Sequence, residues 1–171
     1  MGIPMLYWTT TVEPPKKRSN KMHTQRAVSA VLDYVRSSNP QPSKTTYVNT
    51  QVEVDDDAGL TVTLFSNPIM RITRTNTNDF DKVYVYAGGC YTSSGNPSDT
   101  TRERLNGLLA ALGDCGVIPL KVRVFMDWEY DICYVGSGDK KIALNEDYAT
   151  MVSIDSNPEQ FFFEDLTNYK R

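Results

Sequence analysis

The chain contains 171 residues, of which 40% are hydrophobic and 23% charged, and its formal net charge at pH 7 is −3. This balance is ordinary for a single globular domain in water, and the length is sufficient to enclose a sizeable core. No apolar run approaches the roughly 18 residues that a membrane-spanning helix requires, so the sequence predicts no membrane partner.

Charge is distributed unevenly along the chain. Residues 1–44 contain seven Lys and Arg against two acidic residues, whereas residues 45–171 contain eleven basic and nineteen acidic residues. We expect residues 1–22 to form an irregular basic arm that includes Lys16-Lys17-Arg18. Such an arm can bind an anionic partner or fold back on the acidic remainder of the chain, and the sequence leaves both interpretations open.

The chain offers little for metal or thiol chemistry. Its three cysteines, Cys90, Cys115 and Cys133, lack Cys-x-x-Cys spacing, and His23 is its one histidine. An odd number of scattered cysteines favours a reducing compartment over a disulfide framework, and we expect all three to be small apolar packing residues. The sequence therefore predicts no metal site and no cofactor.

The first regular element is predicted to be a helix over residues 24–37. Its apolar residues recur at helical spacing, and Thr24 has a side chain suited to an N-cap. The prolines within residues 39–43 then mark a linker, because each one removes a backbone donor and biases its predecessor away from the helix.

The middle of the chain is predicted to be β-structure. Apolar and polar residues alternate over residues 46–54 and again over 60–65, and the acidic segment 55–59 between them ends in glycine. The two runs are therefore expected to form a hairpin. The three aspartates of the turn lack the later Gly and Glu of a calcium-binding loop, so we interpret them as turn residues.

Five further strands and a second helix complete the pattern. The strands are predicted over residues 69–72, 82–87, 120–125, 130–135 and 142–144. The helix, which ends near Gly113, has leucines at helical spacing between the second and third of these strands. Strands joined by short turns indicate an α+β fold: an antiparallel sheet built from hairpins, with two helices. We assign residues 23–154 to this single domain, between the irregular N-terminal arm and a C-terminal tail.

The start of the second helix carries the most information about function. Thr100 and Glu103 have the Thr-x-x-Glu spacing of a capping box, in which each side chain satisfies a backbone N–H of the other residue. The arginines that follow lie where the helix dipole disfavours cations. We therefore predict a site for a phosphate or carboxylate, formed by four residues: Thr100, Thr101, Arg102 and Arg104.

Three tyrosines, Tyr84, Tyr86 and Tyr91, precede this helix and are predicted to be able to stack on bases of a bound nucleic acid, and Tyr91 is included in the predicted site. The same residues also have a purely structural interpretation, in which Glu103 caps the helix, the arginines pair with surface acids and the tyrosines fill the sheet. The sequence leaves both interpretations open.

No catalytic template is present in the sequence. The chain lacks the GxxxxGK[ST] and GxGxxG nucleotide loops and the GxSxG nucleophile elbow. A Cys–His nucleophile would need His23, which lies near the basic arm. Many carboxylate pairs are conceivable, but nothing selects one. We therefore predict no catalytic residues and a protein that is not an enzyme.

The C-terminal tail, residues 155–171, contains Phe161-Phe162-Phe163 between acidic residues. Three adjacent aromatic rings flanked by carboxylates suit a peptide that docks into the groove of a partner protein. They also suit a last segment that packs on the chain's own sheet, because exposed aromatic runs promote aggregation.

Several motifs occur in an order that resembles a known group. They are Tyr47-Val48-Asn49-Thr50, Thr61-Val62-Thr63-Leu64, Ser66-Asn67-Pro68-Ile69, Gly88-Gly89-Cys90-Tyr91-Thr92, Thr100-Thr101-Arg102-Glu103-Arg104-Leu105-Asn106, Trp128 and Tyr130. This order resembles that of small uncharacterised proteins encoded by tailed bacteriophages. Their pattern runs through a TVTL strand, a Gly-Gly/Gly-Trp-x-Thr element, a Thr-Thr-[Lys/Arg]-x-Arg-[Leu/Met]-Asn helix start and a late aromatic strand. The resemblance covers about residues 45–135.

The chain departs from that pattern in three ways. Tyr91 stands where tryptophan is usual, residues 93–99 form an insertion, and the arm and tail are additional. The group has no settled activity to carry over. The resemblance therefore implies a phage origin and a location in the host cytoplasm, but no reaction.

Two functional hypotheses follow. The first is a phage-encoded, non-enzymatic accessory protein that binds an anionic partner, nucleic acid before any other, through the second helix start and the basic arm. Its affinity would fall steeply with salt. The second is a protein–protein module, either an inhibitor of a host or defence enzyme or a minor virion component. The acidic body and the aromatic tail favour this alternative.

Overall fold

The computed structural model of the protein describes residues 16–75, 79–88, 91–137, 140–144, 149–153 and 163–165. These residues form two helices, α1 (Lys16–Arg36) and α2 (Asp99–Asp114), and ten strands. The strands are β1 (Ser43–Tyr47), β2 (Thr50–Val54), β3 (Leu60–Leu64), β4 (Asn67–Arg74), β5 (Phe80–Tyr86), β6 (Arg123–Asp127), β7 (Ile132–Ser137), β8 (Lys140–Ala143), β9 (Ala149–Ser153) and β10 (Phe163–Asp165). The predicted α+β class is confirmed.

The strands form two antiparallel sheets. The larger sheet has the order β1-β2-β3-β4-β5-β9-β10, and the smaller sheet has the order β6-β7-β8. The predicted hairpin around the three aspartates is confirmed, with Val54 opposite Leu60. The Asp55 carboxylate accepts hydrogen bonds from the backbone N–H groups of Asp57 and Gly59 at 3.1 and 2.8 Å. These aspartates therefore serve as turn residues, as the sequence predicted.

The prediction of one strand over residues 46–54 is wrong, because the chain reverses at Val48 and Asn49. β1 ends at Tyr47, which lies opposite Thr50, the first residue of β2. Val48 has a φ of 54°, a left-handed conformation that β-branched residues rarely adopt. Neither glycine nor proline marks this turn, and the apolar–polar alternation continues through it, so the sequence pattern concealed it.

α1 begins earlier than the predicted residue 24, so Thr24 lies inside the helix and does not cap it. Residues 1–15 of the predicted arm lie outside the described residues, and residues 16–22 are helical. No residue between Lys16 and Thr24 is a proline or glycine, which explains why the helix extends in this direction. In the predicted tail, residues 163–165 form β10.

A single hydrophobic core joins the larger sheet, both helices and the smaller sheet. Alternate residues of the strands face it, as the burial patterns of β2 and β3 show. α2 contributes the leucines whose spacing predicted this helix: Leu105, Leu108, Leu109 and Leu112. The inner face of the smaller sheet contributes Val124, Cys133 and Val135.

The cysteines differ in environment. Cys133 is fully buried, which confirms its predicted packing role, whereas Cys115 is exposed at the end of α2 and does not have that role. Cys90 lies outside the described residues. Burial raises the pKa of the Cys133 thiol to about 11, and the nearby charge of Arg102 opposes the shift only in part.

The two helices approach each other closely at Gly107. A Cβ atom at this position would overlap Cγ2 of Thr24 on α1. The Thr24 hydroxyl also accepts a hydrogen bond from Nη1 of Arg104 at 3.1 Å, which opposes rotation of the threonine side chain away from α2. The missing side chain at Gly107 therefore sets the helix–helix distance.

We expect Gly107→Ala to destabilise the protein. Alanine improves helix propensity by about 1 kcal/mol, but overpacking at a close helix contact costs about 1–3 kcal/mol. Thr24→Ser removes Cγ2 and keeps the hydroxyl, so the double variant should recover most of the loss. Urea unfolding of the wild type, both single variants and the double variant measures the coupling. Purely additive effects would contradict the close contact.

The pKa of Cys133 predicts a loss of stability at alkaline pH. In the unfolded chain a thiol ionises at about pH 8.5, whereas in the fold it stays protonated up to about pH 11. Its contribution to stability is therefore fully present below the unfolded pKa and is lost as pH rises through the folded pKa. The free energy of unfolding, measured by urea titration across this range, should fall more in the wild type than in Cys133→Val. Cys115→Ser should behave like the wild type, and equal falls in all three proteins would contradict the assignment.

Candidate functional site

The N-cap of α2 is Ser98, so the predicted capping box of Thr100 and Glu103 is wrong. The Ser98 hydroxyl accepts a hydrogen bond from the backbone N–H of Thr101 at 3.3 Å and lies 3.1 Å from the Thr101 hydroxyl. Asp99 then places a carboxylate in the first turn, where the helix dipole favours it. The sequence Ser98-Asp99 satisfies the helix start two residues before the predicted cap, so Thr100 already lies inside the helix.

Arg104 is buried, with 1% of its surface exposed. Its guanidinium faces α1, where it donates to the Thr24 hydroxyl, and not the free N–H groups of the helix start. Burial lowers the pKa of the Arg104 guanidinium, and the neighbouring charge of Glu103 opposes this shift. The prediction that Arg104 holds an anion from solution is therefore wrong. Helical spacing carries its side chain into the α1–α2 interface.

Arg102 is engaged within the chain. It pairs with the Asp99 carboxylate three residues earlier, and its guanidinium carbon lies 5.6 Å from the centre of the Trp128 ring. Thr101, the neighbouring predicted ligand, is buried. The protein's own residues thus engage the helix start, which agrees with the structural interpretation, while the buried Nε atoms of Arg102 and Arg104 make no hydrogen bond within the described residues.

The other predicted site residues do not join Arg102. Tyr91 is half-buried against the core, and its hydroxyl donates to the carbonyl of Gly88. The basic residues Lys16, Lys17 and Arg18 form the first turn of α1, but their side chains lie outside the described part. Phe161 and Phe162 are likewise outside it, and Phe163 begins β10 opposite Val152 of β9. The predicted partner-binding role of the tail stays a prediction.

The structure assembles a different surface on the outer face of the smaller sheet. Phe125 of β6 lies opposite Tyr134 of β7, and their rings stack with centres 5.8 Å apart and planes inclined by 29°. The Lys141 ammonium lies 4.2 Å from the centre of the Tyr134 ring, and the Arg123 guanidinium lies 5.6 Å from the centre of the Phe125 ring. We call these four residues, Arg123, Phe125, Tyr134 and Lys141, the aromatic platform.

Gly136 brings the two cations of the platform onto neighbouring strands. It lies opposite both Arg123 of β6 and Lys141 of β8. A Cβ at this position would lie 2.6 Å from the Cα of Lys141, a distance that would force β8 away. In the described part of the chain neither Arg123 nor Lys141 has an ion-pair partner. Their charges are therefore available to a ligand.

Opposite charge lies at the far end of the same sheet. The loop between β6 and β7 presents the exposed rings of Trp128 and Tyr130, with 76% and 65% of their surfaces accessible. Carboxylates alternate with these rings at Asp127, Glu129 and Asp131. The smaller sheet is therefore basic and aromatic at one end and acidic and aromatic at the other.

Two asparagine side chains hold this sheet in position. Asn106 of α2 donates to the carbonyl of Val124 at 2.9 Å and accepts from its N–H at 2.7 Å. Asn96 donates to the carbonyl of Asp131 at 2.8 Å and accepts from the N–H of Cys133 at 2.9 Å. Each carboxamide thus replaces a strand partner for one segment of the sheet.

Sequence reasoning missed the aromatic platform. The one signal present was the alternation of charged and apolar residues around Arg123, which places Arg123 and Phe125 on the same face of a strand. The pairing of Phe125 with Tyr134 depends on the register of β6 and β7, which alternation alone does not set. The predicted strand over residues 120–125 in fact begins at Arg123, because the chain still turns at Lys121 with a φ of 71°.

The burial of Arg104 leads to a prediction about stability. Replacing a buried charge by an apolar residue of similar volume is often neutral or stabilising by about 1–4 kcal/mol. We therefore expect Arg104→Met to unfold at the same urea concentration as the wild type or at a higher one. Arg104→Ala, the matched control, leaves a cavity and should be less stable than Arg104→Met. A variant Arg104→Met that is less stable than Arg104→Ala would contradict this account.

Comparisons of the chain with models of known protein families, with curated proteins and with solved structures found no match. Neither helix in the described ranges is long and apolar enough to cross a membrane. The same residues contain no cluster of His, Cys, Asp and Glu that could hold a metal ion. Function is therefore inferred from the geometry of the candidate surface.

Proposed function

We propose that this protein binds single-stranded nucleic acid on the outer face of its smaller sheet. The observation that supports the proposal is the aromatic platform, in which a stacked aromatic pair and two cations share one face of an antiparallel sheet, and neither cation has an ion-pair partner among the described residues. Unpaired bases stack on such rings, and Lys and Arg attract the adjacent phosphates. A duplex keeps its bases stacked on one another, so it cannot make the same contacts.

In the free protein a cation lies over each ring, and replacing that cation by a stacked base is energetically favourable. A Lys or Arg over an exposed ring contributes about 0.5–1 kcal/mol, whereas a base stacked on an aromatic side chain contributes about 1–3 kcal/mol. Lys141 and Arg123 have long, flexible side chains, so each can leave its ring and move to a phosphate. A bound strand therefore gains stacking and retains the charge interaction.

The platform is a better candidate than the second aromatic pair in the structure. Tyr84 and Tyr86 stack on the larger sheet with ring centres 6.5 Å apart, but Tyr86 is buried. Arg71, which lies opposite Tyr84, is already paired with the Asp55 carboxylate at 3.0 Å. That surface therefore lacks an accessible ring pair, and the cation opposite Tyr84 is already engaged by a carboxylate.

The setting of this activity is part of the proposal. The sequence resemblance to proteins of tailed bacteriophages supports a phage origin and a location in the host cytoplasm, and we propose a non-enzymatic accessory role there. The candidate surface contributes contacts to bases and phosphates, which suits a binding protein.

A second candidate function is the protein–protein module. The observation that favours it is the loop between β6 and β7, where the exposed Trp128 and Tyr130 alternate along the sequence with acidic residues. Aromatic residues of this kind often dominate the energy of protein interfaces. Trp128→Ala should abolish capture of a protein partner and leave nucleic-acid binding unchanged.

We expect Phe125→Leu/Tyr134→Leu to weaken binding of a labelled oligothymidylate of about twelve nucleotides. Leucine keeps the half-buried positions apolar but removes the stacking surface, so the loss should reach about 1–3 kcal/mol for each stacked base. Fluorescence anisotropy at low salt measures the affinity, with Tyr84→Leu as the matched control on the larger sheet. Absence of binding by the wild type, or equal affinity of the platform and control variants, would overturn the proposal.

Salt dependence separately tests the two cations. Arg123 and Lys141 together would neutralise about two phosphates, which corresponds to a slope of log K against log salt of about −1.4 for a single strand. Arg123→Gln/Lys141→Gln should bring this slope toward zero, whereas Lys44→Gln, a surface lysine of β1, should leave it unchanged. An unchanged slope in the platform variant would show that the phosphates bind elsewhere.

A further inference from the structure

A cleft lies beside the aromatic platform. It has a volume of about 740 Å³ and opens between the C-terminal half of α2 and the segment that enters β6. Its lining combines four apolar side chains with two cations, a carboxylate, an amide, a hydroxyl and one glycine. The residues that matter here are Leu109, Ala110, Asp114, Leu120, Lys121 and Arg123.

The cleft and the platform are continuous through one residue. Arg123 lines the cleft, and its guanidinium also lies over the Phe125 ring of the platform. Lys121, two residues earlier, lines the same cleft in a left-handed backbone conformation with a φ of 71°. A non-glycine residue in this conformation carries a backbone cost of the kind often found at ligand-binding segments. Arg123 therefore connects the rings to the cleft, and Lys121 adds a second cation to the cleft lining.

The chemistry of the lining side chains indicates which part of a ligand can enter the cleft. Leu120 is 63% exposed and leaves an apolar surface at the cleft available for contact. Asp114 also lines the cleft and repels phosphate, but its carboxylate can accept a hydrogen bond from an exocyclic amine. The Asn106 side-chain amide already makes hydrogen bonds to both backbone groups of Val124. It therefore lines the cleft without contributing to the recognition of a base. An apolar, flat base fits this chemistry, with its phosphate near the cations.

We infer that the cleft receives one base of the same strand whose neighbouring bases stack on Phe125 and Tyr134, while Lys121 and Arg123 bind the intervening phosphate. This inference rests on the proposed function. The volume lies within the roughly 300–1,000 Å³ of sites that take small organic ligands, so a base and its sugar fit. Asp114 favours bases that carry an exocyclic amine, such as cytosine, over thymine.

The connection between the two sites determines how binding depends on length. A base already held near the cleft by its stacked neighbours binds at a high effective concentration, so a strand should bind much more tightly than a free nucleotide. A probe with two bases fills the rings and leaves the cleft empty. A longer probe fills both. The cleft therefore contributes only to the longer probe.

Ala110→Trp is the decisive variant. Ala110 is exposed on α2 and lines the cleft, so an indole at this position would occupy the cleft without disturbing the core. Gln25→Trp places the same side chain on an exposed position of α1 and serves as the matched control. The probes are a labelled dicytidylate and a labelled oligocytidylate of about twelve nucleotides, and the readout is fluorescence anisotropy at low salt.

We expect Ala110→Trp to weaken binding of the longer probe roughly 5- to 150-fold, which corresponds to the loss of about one stacked base. The affinity for the dinucleotide should be unchanged. Leu120→Ser, at the exposed cleft residue, should weaken the longer probe to a smaller extent and covers the case in which the tryptophan variant does not fold. Equal affinity of both cleft variants and the wild type for the longer probe would overturn the inference while the proposed function stands.

The remaining outcomes separate the two levels. A wild-type protein that binds neither probe overturns the proposed function and the inference together. Cytidine monophosphate that binds as tightly as the longer probe, and that Ala110→Trp excludes, would overturn the assignment to a strand and make the cleft a mononucleotide site. If Ala110→Trp weakened binding of the dinucleotide as much as binding of the longer probe, the cleft would be part of the platform. The inference that the cleft receives a separate base would then be wrong.

Discussion

Two side-chain amides, that of the buried Asn96 and that of the part-buried Asn106, anchor the backbone of the smaller sheet to α2 and to the loop before it. Asn106 bonds both backbone groups of Val124, and Asn96 bridges the carbonyl of Asp131 and the N–H of Cys133. An amide side chain offers one donor group and one acceptor, which matches the two backbone groups that each strand segment leaves unpaired. These contacts join β6 to α2 and β7 to the loop before α2, and so turn the opposite face outward, where the aromatic platform lies.

In the sequence, the two arginines near the start of α2 look available to an anionic ligand, but in the fold both are engaged by other residues of the chain. Arg102 is engaged by Asp99 and lies over Trp128, and Arg104 is enclosed against Thr24. An Arg–carboxylate contact and a buried guanidinium both reduce what an external anion would gain, because the charge is already compensated or shielded from solution. Arg123 and Lys141, by contrast, are exposed on β6 and β8.

The fold class and most elements could be predicted because they depend on local periodicity. The leucines of α2 and the hairpin at Asp55 are patterns within a few residues, and both were predicted correctly. The turn at Val48 could not, because its left-handed conformation occurs without glycine. The burial of Arg104 and the pairing of Phe125 with a residue in the next strand could not be predicted either. Each depends on tertiary neighbours, and spacing along the chain carries no record of them.

The geometry of the platform depends on the absence of a Cβ atom at Gly136. Its φ is not left-handed, so the position requires glycine for room and not for backbone freedom. Any side chain would widen the separation of β7 from β8 and carry Lys141 away from Tyr134. The electrostatic character of the surface is thus encoded in part by a residue that bears neither charge nor ring. A search for the determinants of this surface among charged and aromatic positions alone would pass over the one that holds them together.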